Sequence, residues 1–231
     1  MIAMMIRLVG AMVAGMVAIA APLALTPFVD RRRRTALRRL VPAACAVLNA
    51  HGIDYWADFG TLLGFRRERD IISSDKDADL SVMADQKPRI VALAPAFARA
   101  GLELTDRGGR SGTVLRVLDV RTRYHLDIYT YVRDGDTLRS ELTSPSEDIP
   151  ARLVERRAAA SFLDGTIRIP EEVDSVLRYR YGDDFLTPRR GDKGATRPYH
   201  RGRAIVEDIE AGWVGIWSWL RELMPSRMVA P

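Results

Sequence analysis

The sequence predicts an α/β chain in which strands alternate with helices behind one amino-terminal transmembrane helix, and three observations predict it. Residues 8 to 29 carry no charge, and 22 residues at about 1.5 Å each cross roughly 30 Å of hydrocarbon. Behind them, apolar residues at helical spacing alternate with short extended runs bounded by glycine, proline and aspartate. Hydrophobic residues make up 47% of the 231-residue chain, which supplies a packed core and excludes a disordered chain.

In the apolar segment, Pro22 and Pro27 fall in the second half, where the first kinks a membrane helix and the second marks its end. The competing reading is a cleaved signal peptide, with Arg7 as the basic region and Ala18-Ile19-Ala20 as the cleavage site. Six arginines (Arg31, Arg32, Arg33, Arg34, Arg38, Arg39) then stand against Asp30 alone. Such a cluster opposes translocation and stays on the cytoplasmic side. The chain is therefore expected to be a single-pass membrane protein with its main domain on the cytoplasmic face.

This ten-residue stretch accounts for the whole formal net charge of +5. The rest of the chain is neutral, which argues against nucleic acid as a partner. A single cysteine, Cys45, excludes an intramolecular disulfide, and His51, His125 and His200 lack metal-ligand spacing. Any metal is expected to be a hard cation held by carboxylates.

Leu37, Leu40, Val41, Ala44, Val47 and Leu48 recur at helical spacing behind a Thr35 cap, with Gly52 as the stop. A strand over Ile53 to Phe59, a turn at Gly60-Thr61 and a short helix from Leu62 to about Glu68 follow. Ala78 to Met83 is a second strand. Pro88 opens a helix to Ala100, disturbed at Pro95 and closed by Gly101. Strands near Thr113 to Val120 and Tyr124 to Val132 form a hairpin through Arg121-Thr122-Arg123. Asp134-Gly135-Asp136 is a turn, and Glu171 to Tyr181 is a helix behind Pro170. The domain layout expected is residues 1–30 as anchor, 31–44 as basic juxtamembrane segment and start of the first helix, 45–190 as the main domain, and 191–231 as a basic loop and amphipathic helix. In that last part Trp213, Ile216, Trp217 and Leu220 form an apolar stripe.

Asp77 and Asp79 are two apart at the start of an extended run, so pleating points both carboxylates to one face, and Asp75 shares their parity. Asp127 lies between Leu126 and Ile128 in another apolar strand, where a charge is costly unless paired or metal-bound. Three convergent carboxylates suit magnesium ions and an in-line phosphoryl displacement. Gly60 and Thr61 offer a backbone N–H and a hydroxyl to a phosphate at a helix start.

The run Gly60-Thr61-Leu62-Leu63-Gly64, Arg67, Ile72 and Asp75-Lys76-Asp77-Ala78-Asp79 resembles the signature of the LicD and fukutin family, approximately GTLLGxxRxxxxIPWDDDIDI. His125-Leu126-Asp127-Ile128 is similar to that family's later aspartate strand, and Tyr181 to Pro188 resembles its closing element. The resemblance covers about residues 45 to 190. It implies a nucleotidyltransferase-type fold, a small mixed sheet flanked by helices. It also implies transfer of a phospho-group from a nucleotide-activated donor, such as a CDP-linked alcohol, to a hydroxyl of a glycan or lipid-linked acceptor.

On this reading Asp77, Asp79 and Asp127 are the catalytic and metal-binding residues, with Asp75 as a further ligand candidate. The ion is Mg²⁺, with Mn²⁺ as the alternative. Gly60, Thr61, Arg67 and Lys76 are the candidates for binding the substrate. His125 shares a strand face with Asp127 but is left outside the catalytic set. Two departures bear on the donor: Ser73-Ser74 stands where the family has Pro-Trp, and Lys76 replaces an acidic residue. Nucleotidyl transfer from an NTP and a non-catalytic membrane adaptor are the competing functions.

Overall fold

A computed structural model describes residues 30–73, 75–106, 115–141 and 147–188. The expected membrane segment 8–29, the basic stretch after Pro188 and the tryptophan stripe lie outside the described residues. Among the described residues no helix is long and apolar enough to cross a membrane.

Residues 30–50 are helical (α1), so Thr35 lies inside a helix rather than capping one. The end is as expected. Gly52, at φ +63°, and Ile53 donate to the carbonyls of Asn49 and Leu48, which closes the last turn in a Schellman arrangement. Leu37, Leu40, Val41, Ala44 and Leu48 are fully buried and belong to the same core as the sheet. On the polar side of the helix Arg34 and Arg38 both reach Asp70, Arg34 at 2.8 Å.

Strand β1 is short, Tyr55–Ala57, because Asp58 caps a helix that starts at once, α2 at Phe59–Arg67. Gly60 and Thr61 thus occupy the first turn of α2, which starts at Phe59, three residues before the Leu62 that the sequence suggests. Strand β2, Ala78–Met83, agrees with its expected limits. The helix expected over 88–100 is two pieces, α3 at Lys87–Val91 and α4 at Ala94–Arg99, after a 3₁₀ turn at Ala84–Gln86. Pro95 explains the break: it lacks the N–H a continuous helix needs and sits instead in the first turn of α4.

Strands β3 (Leu102–Asp106), β4 (Leu115–Asp119) and β5 (His125–Asp134) follow. The sheet runs β1-β2-β5-β4-β3, with β6 (Thr137–Ser140) on the far half of β5 and β7 (Ile149–Pro150) beside β6. Among the described residues β2 and β5 pair in parallel and the other pairs of this sheet are antiparallel. A hairpin of β8 (Arg157–Phe162) and β9 (Gly165–Pro170) leads to α5 at Val173–Tyr181, which Gly182 ends at φ +89°. The described residues are therefore a mixed sheet flanked by helices.

Candidate active site

The parallel pairing of β2 with β5 decides the geometry, since it sets Asp79 directly opposite Asp127. On the other side of β5, Arg116 of β4 is the direct partner of Asp127. Asp58 donates its backbone N–H to the Asp79 carbonyl at 3.3 Å. Four charged residues from four neighbouring segments thus form a row, Asp58, Asp79, Asp127 and Arg116, and direct cross-strand partners share a face.

The two ends of this row are neutralised. Asp58 is fully buried and receives Arg180 of α5 through Nε at 2.8 Å and Nη2 at 2.7 Å. The Ser81 hydroxyl, the Trp56 indole and the Phe59 N–H also donate to it, at 2.9, 3.3 and 2.9 Å. Asp127 receives Arg116 through Nε at 2.6 Å and Nη2 at 2.7 Å. Asp79, between them, is 6% exposed, and no cationic side chain pairs with it among the described residues. Burial first, and then the charges of Asp77, Asp75, Asp127 and Asp58, push its carboxyl well above the usual carboxylate range.

Asp79 is held from the start of α2. The Gly60 N–H donates to its Oδ2 at 3.2 Å, and its own N–H donates to the Thr61 hydroxyl oxygen at 2.7 Å. Gly60 and Thr61 thereby serve Asp79, whereas the sequence assigned them to a substrate phosphate. Gly60 has a second reason to be glycine, since a Cβ there would overlap the Asp75 carboxylate, with Cγ at 2.8 Å. Phe59, the residue before it, has φ +42°, a left-handed conformation that costs a non-glycine residue about 1–2 kcal/mol. Its ring meets the Arg180 guanidinium, 4.1 Å from the centroid, and Tyr129, at 5.0 Å between centroids.

Asp77 precedes β2 and meets His125, whose Nε2 is 3.5 Å from Asp77 Oδ2 and 3.8 Å from Asp127 Oδ2. Asp77, His125 and Asp127 each offer one ligand atom, all within 4.8 Å of one another. His125, left out on sequence grounds, is thus brought between two of the three expected aspartates. The donor set fits a divalent cation, because it joins two carboxylates to one imidazole beside a buried carboxylate that no described cation pairs with.

Arg67 lies elsewhere. Its guanidinium donates to the backbone carbonyls of Phe185 and, at 3.1 Å, Thr187, so it ties α2 to the closing element where the sequence had it gripping phosphate. Lys76 is half-buried between Asp75 and Asp77. Tyr181 packs against the core, and burial together with the charges of Asp79 and Asp75 pushes its hydroxyl well above the ordinary tyrosine range. Sequence reasoning missed Arg116, Asp58 and Arg180. Arg116 alternates with Leu115 and Val117, a signal for one face of a strand, but its partner follows only from register.

Residues 52–172 match the family model described as LicD/FKTN/FKRP, nucleotidyltransferase domain. Ribitol-5-phosphate transferase FKTN of Mus musculus is 26% identical over 160 residues, covering 67% of this chain and 34% of that protein. Ribitol 5-phosphate transferase FKRP of Homo sapiens is 26% identical over 160 residues, covering 65% and 32%. The chain thus spans about a third of the length of these curated relatives. A solved structure of ANT(2'')-Ia with adenylyl-2''-tobramycin matches at 12% identity and a TM-score of 0.43, covering 80% of this chain and 97% of that one, a likeness too slight to carry any argument. With the family model covering just over half of its residues, the chain belongs to the LicD/FKTN/FKRP family.

Proposed function

We infer that this chain is a divalent-cation-dependent transferase that moves a phospho-group from a nucleotide-activated donor of the CDP-alcohol type to a hydroxyl of a glycan or lipid-linked acceptor. The observation that carries the reading is the pairing of Asp79 with Asp127 across β2 and β5, beside Asp77 and His125. The family membership and the ribitol-phosphate transferases among its relatives support the same reaction class.

Asp77, Asp127 and His125 would hold the cation, with Asp79 and Asp75 beside them, and a magnesium or manganese ion there supplies charge neutralisation for the donor phosphates. The rest falls to the chain's own residues. Gly60 and Thr61 fix Asp79, so its carboxylate is oriented before substrate arrives. The acceptor hydroxyl oxygen bonds to the donor phosphorus and gives up its proton to solvent, the bond from that phosphorus to the nucleotide breaks, and CMP leaves with the electron pair. In the same reading residues 8–29 anchor the protein in a membrane and the 45–190 domain works on the cytoplasmic face.

The test is incubation of the purified full-length protein with Mg²⁺, a mixed glycan and lipid-linked acceptor fraction and a panel of CDP-activated donors. CMP release that disappears with EDTA is expected. Retention of labelled α-phosphate from an NTP in the product, without CMP release from any donor, would establish nucleotidyl transfer in its place.

A further inference from the structure

Two features of Arg116 stand apart from the reaction described above. Its fork holds both oxygens of Asp127, and the two residues are direct cross-strand partners, so the pairing is built into the register of β4 and β5. The same Asp127 also belongs to the group of ligand atoms it forms with Asp77 and His125. A guanidinium and a divalent cation on one carboxylate repel each other, and each weakens that carboxylate's hold on the other. Of the two side chains, Arg116 is the more open, 16% exposed against 4% for Asp127. The charge of Asp77 also acts on it, so two of the aspartates around the ligand group bear on this one arginine. A planar fork that fits a carboxylate in two bonds fits a phosphate equally well.

We propose that Arg116 is an exchange group: it occupies Asp127 in the cation-free protein, yields that carboxylate to an entering divalent ion, and turns its freed fork to the diphosphate of the nucleotide donor. The proposal rests on the transferase reading and adds to it a residue that senses the cation and binds the donor. It separates Arg116 from a purely structural strand pair, because the two roles predict opposite changes in metal affinity. A structural arginine orients the ligand, so losing it weakens metal binding. An exchanging arginine competes for the ligand, so losing it strengthens metal binding.

The experiment measures Mn²⁺ binding to the full-length protein by electron paramagnetic resonance, without nucleotide, and then CDP binding by calorimetry at saturating Mn²⁺. Wild type, Asp77→Asn, Arg116→Gln and Arg116→Lys are compared, with near-ultraviolet circular dichroism as the check on fold. Arg116→Gln is expected to bind Mn²⁺ about tenfold more tightly than wild type, or better, and CDP about tenfold more weakly. Arg116→Lys keeps the charge but loses the planar fork that makes two parallel bonds to one carboxylate, so it should also bind Mn²⁺ more tightly than wild type. It decides the matter in the same way if Arg116→Gln does not fold. Mn²⁺ affinity unchanged or reduced in a folded Arg116 variant overturns the exchange while leaving the transferase reading in place, and so does undiminished CDP binding. A wild type that binds Mn²⁺ no better than Asp77→Asn overturns the cation site itself, and with it both readings.

Discussion

Replacing Arg180 by methionine removes the one cation that, among the described residues, pairs with a fully buried carboxylate. Asp58 is 0% exposed and Arg180 4%, and the pair carries two bonds of 2.8 and 2.7 Å. In Arg180→Met the Ser81, Trp56 and Phe59 donors remain on Asp58, yet its charge stays buried without a counter-ion. Breaking one side of such a pair costs about 3–5 kcal/mol. The Glu147 carbonyl and the Tyr131 hydroxyl also lose the N–H groups that reach them at 2.9 and 3.1 Å. A loss of that size is a large part of the roughly 5–15 kcal/mol that holds a domain together. At about 2–4 °C per kcal/mol for a domain of this length, the melting temperature should fall by about 6–20 °C. Asp58→Asn should lose a similar amount, and the double variant Asp58→Asn/Arg180→Met clearly less than the sum. Urea unfolding of the four proteins measures the cycle. Single variants within about 1 kcal/mol of wild type, or losses that simply add, would refute the reasoning that α5 is fastened to the start of α2 by this pair.

The two glycines of α2 should fail differently. The atoms nearest to a Cβ at Gly60 belong to the movable Asp75 side chain, so Gly60→Ala should stay folded, with a melting temperature near wild type, and lose turnover by displacing Asp75. At Gly64 it would meet the backbone carbonyl of Asp70, so Gly64→Ala should lose about 1–3 kcal/mol in urea unfolding. The hydrogen bond from Arg38 first, and then the Ile71 N–H and the charge of Arg34, hold the Asp70 carboxyl below its ordinary range. Its contribution to stability is full above about pH 4 and is lost as pH falls through the lowered value. The stability gap between wild type and Asp70→Asn, followed by thermal melts from pH 7 to pH 2, should therefore close only at the acid end; a gap independent of pH would contradict it. Burial pushes the Cys45 thiol up to about 12, so iodoacetamide at pH 8 should label it only in denaturant, as mass spectrometry would show.

The parts of the site that depend on short spacing were legible in the sequence. The parity of Asp77 and Asp79 and the apolar run around Asp127 place carboxylates on strand faces, and β2 and β5 then bring Asp79 and Asp127 into register. Glycines at 52 and 101 and the turn at 134–136 ended their elements as read, because each needs a positive φ. Strand β3 was missed because Leu102-Glu103-Leu104 is a short alternation directly after a helix end. The β8 strand carries Ala158, Ala159 and Ala160, small residues without the β-branched or aromatic pattern that marks a strand. Phe59 reads as strand by type, yet Asp58 before it caps α2 and pairs with Arg180, and Phe59 is the first residue of the helix. The Asp58–Arg180 pair joins residues 122 apart in sequence, and nothing local in either segment predicts it. The same holds for Arg67, whose partners in 185–187 follow from the packing of α2 beside the closing element.

The most direct test of the transferase account is the initial rate of CMP release by Asp79→Asn beside wild type, on the donor that wild type uses, with Mg²⁺ saturating and the fold checked by circular dichroism. Asparagine keeps the size of the side chain and an oxygen for the Gly60 N–H, and it removes the one carboxylate in the row that no described cation pairs with. The account predicts a folded protein whose rate falls by about a thousandfold or more. A folded Asp79→Asn variant that releases CMP within about tenfold of the wild-type rate would contradict it.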